Sequence, residues 1–243
     1  MLQDSQPRRN LKNLLLTVKR VGLFRGGSVK EELDSIRKWH IEHGFRGGLV
    51  LRELREDLYD DSFRHNITGL NKHANPNQIH QRECYYLYYE VRDNGQVKQQ
   101  IFCRGTTLRA DVLTNLNMKY KYDPELGCRL HAGFRNYADR LLHAVLPLLV
   151  STTDKRSTIE VCGHSLGGAV ALIMAAKLRK RGYTVVRATT IGLPKVCDRS
   201  AVPVLTLLLP VDISRIENDR DVVPNVPPQG SHVPACKLWF VRH

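Results

Sequence analysis

The stretch Gly163-His164-Ser165-Leu166-Gly167-Gly168 decides the fold of this sequence. It matches Gly-x-Ser-x-Gly, a pattern that places a serine on a sharp turn between a β-strand and an α-helix. Glycines flank the serine because side chains would collide in so tight a turn. A short β-branched run, residues 158–162, precedes the turn, and a helix-forming apolar run, residues 169–178, follows it. These neighbours predict a buried strand, a strained turn at Ser165 and a buried helix.

Strands and helices alternate along the rest of the chain. The predicted strands are residues 84–91, 97–103, 158–162, 184–191 and 212–217. The predicted helices are residues 28–58, interrupted at glycines 44, 47 and 48, then residues 140–150 and 169–178. Asp93-Asn94-Gly95 indicates a hairpin between the first two strands, and the tyrosine-rich strand 84–91 is interpreted as packed on both faces. The alternation predicts an α/β fold whose mostly parallel central sheet is covered by helices on both faces.

The chain has 243 residues, of which 42% are hydrophobic, as expected for one α/β domain. No apolar run approaches the ~20 residues that a membrane-spanning helix needs. We expect a hydrolase-type domain over residues 31–243, preceded by a basic amphipathic segment over residues 1–30. The net charge is +13, and the first thirty residues contain seven Lys or Arg against one acid.

Residues 8–30 have two interpretations. Their basic charge and their apolar stripe (Leu11, Leu14, Leu15 and Val18) suit peripheral contact with an anionic membrane surface, or an organelle-targeting segment. Alternatively, the stripe packs against the domain. No nucleic-acid partner is expected, because no basic motif interleaved with aromatic residues accompanies the charge.

The six cysteines are scattered, without a Cys-x-x-Cys pair and without a secretory signal ahead of them. Such cysteines are typical of reduced, buried thiols, and we therefore expect an intracellular location, cytoplasmic or organellar. The glycosylation sequence Asn66-Ile67-Thr68 would matter only in a secreted protein.

A serine nucleophile needs a base that takes its proton and an acid that orients the base. On strand–turn–helix scaffolds of this kind the acid and then the histidine follow the serine in the sequence. Three acids compete in a loop just past a predicted strand: Glu217, Asp219 and Asp221. Two histidines lie beyond the serine: His232 and His243. His164 is adjacent to Ser165 and cannot turn back to serve it, and His131 is interpreted as a buried histidine beside the turn.

Five stretches occur in an order that resembles a known family. They are Cys103-Arg104-Gly105-Thr106, His131-Ala132-Gly133-Phe134, the turn 163–168, Ile191-Gly192-Leu193-Pro194-Lys195-Val196, and Arg215-Ile216-Glu217-Asn218-Asp219-Arg220-Asp221-Val222-Val223-Pro224. Together they resemble the class 3 lipases, also called the fungal lipase-like family of α/β-hydrolases. The resemblance implies a serine hydrolase that cleaves lipid esters, of triacylglycerol lipase or phospholipase type, through an acyl-enzyme. It implies no metal or organic cofactor.

The resemblance also assigns roles to single residues. It implies Ser165 as the nucleophile and Asp221, in Asp-x-Val-Pro, as the acid. It implies that Thr106 lies at the oxyanion hole, with the backbone N–H of Leu166 as the second donor. Relatives carry a lid where this chain has residues 108–120.

The histidine of the family is not matched, because relatives carry it several tens of residues beyond Asp-x-Val-Pro. His232 resembles a different family position. Either His232 or His243 has taken the role, or the chain is C-terminally truncated or inactive. Between the two histidines we predict His232, because a terminal residue frays. Two other functions stay open: a non-catalytic lipid- or membrane-surface protein on a lipase scaffold, and a lipid acyltransferase with the same nucleophile.

Overall fold

The computed structural model of the chain describes residues 29–45, 47–53, 84–92, 94–105, 119–150, 157–209, 212–227, 230–231 and 237–241. The strands in these ranges are β1 (Gly48–Glu53), β2 (Cys84–Val91), β3 (Val97–Cys103), β4 (Tyr120–Asp123), β5 (Cys128–His131), β6 (Ser157–His164), β7 (Val185–Ile191), β8 (Asp212–Asn218) and β9 (Lys237–Val241). The α-helices are α1 (Val29–Glu42), α2 (Ala132–Val145), α3 (Leu166–Lys180) and α4 (Val202–Leu208).

Seven of the strands form one sheet in the order β1-β2-β3-β6-β7-β8-β9, and β4 pairs with β5 in a separate hairpin. The strands from β3 to β9 within the large sheet are parallel, whereas β1 and β2 are antiparallel to their neighbours. The predicted hairpin at Asn94-Gly95 joins β2 to β3, with Gly95 at a φ of +75°. Because parallel strands end at the same edge, the segments that follow β3, β6, β7 and β8 meet there.

Helices cover both faces of the sheet, as the sequence predicted. On the first face, Leu141 of α2 and Ile173 of α3 pack in one core with Leu87 of β2. On the second face, Ile36 of α1 packs with Tyr86. The ring of Tyr86 stacks on that of Phe102, with 4.3 Å between the ring centroids. Strand β2 therefore contributes alternate side chains to two cores, which confirms its interpretation as a strand packed on both faces.

Helix α3 is the central helix of the first face. Twelve of its fifteen residues are buried, so it is apolar around most of its circumference. Its one buried charge is Lys177, whose Nζ lies 2.6 Å from Asp123 Oδ2, 2.5 Å from Asp139 Oδ1 and 3.4 Å from Glu125 Oε2. Burial lowers the pKa of Lys177, but hydrogen bonds to Asp123 and Asp139 more than offset this, so the pKa is raised. The ammonium group therefore stays charged and ties α3 to the β4–β5 hairpin and to α2.

Two predicted elements differ from the structure. The helix predicted over residues 28–58 ends at Glu42, and residues 48–53 form β1, which pairs antiparallel with β2. The helix predicted over residues 140–150 begins earlier, at Ala132, and ends at Val145. Within the described ranges, every helix is too short or too polar to cross a membrane.

Candidate active site

Ser165 lies between the last residue of β6 and the first residue of α3. Its backbone has φ 53° and ψ −125°, and it is the only non-glycine residue with positive φ among the residues that the structure describes. A conformation of this kind costs about 1–3 kcal/mol and persists only where the surroundings impose it. Here the Ser165 N–H donates to the carbonyl of Ile191 at 2.8 Å, and the N–H of Gly168 donates to the Ser165 carbonyl at 2.9 Å.

The flanking glycines are required by direct backbone contact. A Cβ on Gly163 would lie 2.1 Å from the carbonyl oxygen of Gly167, and a Cβ on Gly167 would lie 2.4 Å from that of Cys103. Both distances are far below any contact that a Cβ atom makes. The start of α3 therefore rests on the ends of β6 and β3 with no side chain between them.

The N–H of Leu166, one of the two candidate oxyanion donors, lies in this turn. Leu166 is the first residue of α3, and N–H groups of a first helical turn have no acceptor within the helix. A helix N-terminus also favours negative charge. Gly105, which follows β3, passes so close that its Cβ would lie 2.5 Å from the His164 carbonyl oxygen. Thr106 and residues 108–118 lie outside the described residues, so the oxyanion role of Thr106 and the lid stay predictions.

The three competing acids have different surroundings. Glu217 is buried and paired with Arg215 on the same strand. Asp219 is exposed in the turn after β8. Asp221 is half-buried, and its Oδ1 accepts a hydrogen bond from the Val223 N–H at 2.9 Å.

The other carboxylate oxygen of Asp221 reaches the end of β7. Gly192 has a φ of +56°, and a Cβ there would lie 2.6 Å from Asp221 Oδ2. Because Gly192 directly follows Ile191, the acceptor of the Ser165 N–H, the structure brings Ser165 and Asp221 to the same edge of the sheet. Sequence reasoning found this segment as a family motif but gave Gly192 no role. Its signal was a glycine at the end of a β-branched strand, which indicates a close approach of another group.

The four histidines that concern the site fall into three groups. The ring of His164 lies near Asp221, with its Cδ2 3.9 Å from the same Cβ position over Gly192. Burial lowers the pKa of His164, and the charge of Asp221 acts in the opposite direction. His131 is buried as expected: it caps α2, stacks on Phe134 at 4.1 Å, and burial lowers its pKa to about 4. His232 and His243 lie outside the described residues, so the identity of the base stays a prediction.

In the described part of the chain, no group of three or more His, Cys, Asp or Glu side chains is placed to hold a metal ion.

Comparisons with known proteins bear on the family and the fold of the chain. The family model described as Lipase (class 3) matches residues 100–231, more than half of the chain. A lipase of Rhizopus niveus is 29% identical over 162 residues, which cover 63% of this chain and 41% of that protein. The secreted mono- and diacylglycerol lipase 1 of Fusarium solani is 30% identical over 143 residues, covering 58% and 42%. The chain thus spans about two fifths of the length of these relatives.

A solved structure, lipase II from Rhizopus niveus, superimposes with a TM-score of 0.59 at 17% identity. The match covers 90% of this chain and 76% of that one. Identity at this level shows the fold alone, and it confirms the predicted α/β-hydrolase architecture.

The expected intracellular location is wrong by these comparisons, because the relative from Fusarium solani is a secreted lipase. The expectation rested on the scattered cysteines and on the lack of a recognised secretory signal. Four cysteines are buried and form no disulfide: Cys103, Cys128, Cys162 and Cys197. A buried thiol packs as a small apolar side chain in any compartment, and therefore it does not report on location.

The turn can be tested with two neighbouring glycines. We expect Gly167→Ala to lower the free energy of unfolding by about 3 kcal/mol or more, because its Cβ meets backbone that cannot move aside. Gly168→Ala should change it by less than about 1 kcal/mol, because its nearest atom lies at 3.3 Å and alanine favours the helix. Urea denaturation measures both variants. Equal losses would mean that the turn does not depend on the contact at Gly167.

Proposed function

The chain belongs to the class 3 lipase family, and from that premise we propose that it is a serine hydrolase that cleaves carboxylic esters of lipids. The observation that carries the proposal is the backbone of Ser165, which is strained, buried and held at the N-terminus of a buried helix. A serine with only a structural role gains nothing from such a conformation, whereas a nucleophile gains a fixed position beside helix N–H groups.

In the proposed mechanism, Ser165 Oγ attacks the ester carbonyl carbon while a histidine takes the hydroxyl proton. The carbonyl oxygen becomes an oxyanion, which the N–H of Leu166 and a donor at Thr106 stabilise by about 3 kcal/mol each. The C–O bond to the alcohol breaks, and the histidine returns the proton to the leaving oxygen. In the second half of the reaction, the histidine takes a proton from a water molecule, whose oxygen attacks the acyl carbon. The bond from that carbon to Ser165 Oγ then breaks, and the histidine returns the proton to Oγ.

We assign Asp221 as the acid that orients the base. Glu217 is engaged by Arg215 within the sheet, and Asp219 is exposed to solvent. The carboxylate of Asp221 lies over Gly192, one residue beyond the acceptor of the Ser165 N–H, which supports its assignment.

We assign His232 as the base. The loop that leads to it runs alongside the segment that follows β7, because the N–H of Ser231 donates to the Cys197 carbonyl at 2.7 Å. A second bond joins the Lys195 N–H to the Val226 carbonyl at 2.7 Å. Residue 231, directly before His232, is thus fixed by a backbone bond to the segment that follows β7, which supports the assignment of His232.

We also propose that residues 31–243 act as the hydrolase domain and residues 1–30 as a separate basic segment, of which residues 8–30 contact anionic lipid surfaces. Helix α1 begins at Val29, so the boundary falls within its first turn. Ile36 is fully buried against the sheet, which supports the inclusion of the rest of α1 in the domain.

Ser165 can be tested by covalent labelling. A fluorophosphonate probe should label the native chain and fail to label Ser165→Ala, because only an activated serine attacks the phosphorus. Ser214→Ala is a matched control, since Ser214 is buried in β8 of the same sheet, and it should be labelled like the native chain. Labelling that survives in Ser165→Ala would remove Ser165 from the mechanism. No labelling of the folded native chain would favour the non-catalytic alternative.

The acid can be tested by comparing two aspartates of one loop. Asp221→Asn should lower the rate of ester hydrolysis by up to about 10⁴-fold, because an amide leaves the base in the wrong tautomer. Asp219→Asn should change the rate less than about twofold, because Asp219 is exposed. The hydrolysis of a soluble p-nitrophenyl ester measures both rates. The reverse ranking would overturn the assignment of Asp221.

The base can be tested by comparing His232→Ala with a chain that ends at Arg242. If His232 is the base, the first variant loses ester hydrolysis and the second keeps it. Loss only in the shortened chain would transfer the role to His243. If the native chain is folded but inactive, the base is not among these two histidines.

A further inference from the structure

Ile191, the last residue of β7, and Gly192, which follows it, bond to the turn at Ser165 and to the strand that leads to Asp221. The carbonyl of Ile191 accepts the N–H of Ser165 at 2.8 Å, and the N–H of Gly192 donates to the carbonyl of Ile216 at 2.8 Å. Ile216 belongs to β8, the strand that leads into the acid loop. The dipeptide Ile191-Gly192 therefore holds residues 163–168, here called the nucleophile turn, on one side. On its other side it holds β8, the strand that leads to Asp221.

Gly192 is also in contact with the acid itself. A Cβ at this position would lie 2.6 Å from Asp221 Oδ2 and 3.8 Å from Asp221 Cγ. The next atom, His164 Cδ2, lies at 3.9 Å, which is an ordinary contact. The collision therefore involves the carboxylate oxygen alone.

The carboxylate of Asp221 has little freedom to avoid such a collision. Its Oδ1 is held by the N–H of Val223 at 2.9 Å, and the N–H of Asp221 donates to the carbonyl of Asn218 at 3.0 Å. A side chain at residue 192 would have to break the bond to Val223 or shift the loop. Either movement takes Oδ2 out of the position that it holds over Gly192 at the end of β7.

We propose that Gly192 is a positioning residue, whose missing side chain leaves the space that the carboxylate of Asp221 occupies and so sets the acid against the nucleophile turn. The catalytic consequence rests on the proposed function, in which Asp221 is the acid. The placement of Asp221 by Gly192 is independent of that function.

A backbone requirement alone would also select glycine, so the test needs a glycine that has the conformation without the collision. Gly182 provides it, with a φ of +86° and no atom within 4 Å of its Cβ position. Gly182→Ala therefore carries similar backbone strain and no contact.

The first measurement is the pKa of His164, which is obtained from the NMR signals of its ring as the pH is changed. The charge of Asp221 raises the pKa of His164, so this pKa should fall in Gly192→Ala, as in Asp221→Asn, if the carboxylate moves away. It should stay unchanged in Gly182→Ala. Adding Gly192→Ala to Asp221→Asn should produce no further fall. A native pKa of His164 in Gly192→Ala would overturn the proposal.

The second measurement is the rate of fluorophosphonate labelling. A displacement of about 1 Å in a catalytic group costs about 100-fold in rate, and this loss is expected in Gly192→Ala but not in Gly182→Ala. In the Asp221→Asn background, Gly192→Ala should cause no further loss, and an additive loss would overturn the proposal. If the native chain is not labelled, the proposed function fails, and the titration of His164 still decides the role of Gly192.

If strain prevents Gly192→Ala from folding, a second pair of variants tests the proposal. Asp221→Ala removes the oxygen with which the new Cβ collides. Recovery of folding in the Gly192→Ala, Asp221→Ala double variant would support the proposal. Failure of both to fold, while Gly182→Ala folds, would show that the backbone at residue 192 selects glycine for another reason and would overturn it.

Discussion

Backbone-to-backbone contact at Gly163 and Gly167 is the constraint on which the rest of the structure depends. With no Cβ at either residue, the first turn of α3 lies directly on the ends of β6 and β3. The chain can pass from strand to helix in that space only if Ser165 takes a positive φ. The same contact brings the N-terminus of α3 and the segment after β3 to one side of the serine. A single steric condition thus produces the strained residue and places the first N–H group of α3 directly after it.

Parallel pairing then collects the remaining parts. Strands β3, β6, β7 and β8 run in one direction, so the segments that follow them meet at one edge of the sheet. Three of these segments carry Gly105, Ser165 and Asp221, and the segment after β7 lies between the last two. The strand order alone brings these residues together, because adjacent strands lie only about 5 Å apart.

The sequence predicted the elements whose signals are local. The nucleophile turn, the hairpin at Asn94-Gly95 and the parallel sheet all follow from short patterns. The leucines of residues 49–58 fit helical spacing, but residues 48–53 form β1 because β2 offers a partner edge, and pairing overrides a local preference. The start of α2 was missed because its cap is the ring nitrogen of His131, an unusual capping group.

The sequence predicted the site residues that short motifs identify. It could not separate residues that differ only in their tertiary contacts. Spacing alone left Glu217, Asp219 and Asp221 in competition, because the burial and partners that separate them are tertiary properties. The role of Gly192 depends on a contact with a loop beyond the next strand, and no single-sequence pattern encodes such a contact. Thr106, His232 and the lid stay predictions.

Lys177 has a further consequence for the way the molecule opens. It lies about three helical turns beyond the nucleophile on α3, so the helix is fixed at both ends, by backbone contact at one and by a buried ammonium group at the other. A buried helix fixed in this way resists fraying, and we expect the amide hydrogens of its buried residues to exchange with solvent more slowly than those of exposed elements. The strained turn at Ser165 therefore lies at the start of one of the best-protected helices, and we expect its geometry to persist until the core itself unfolds.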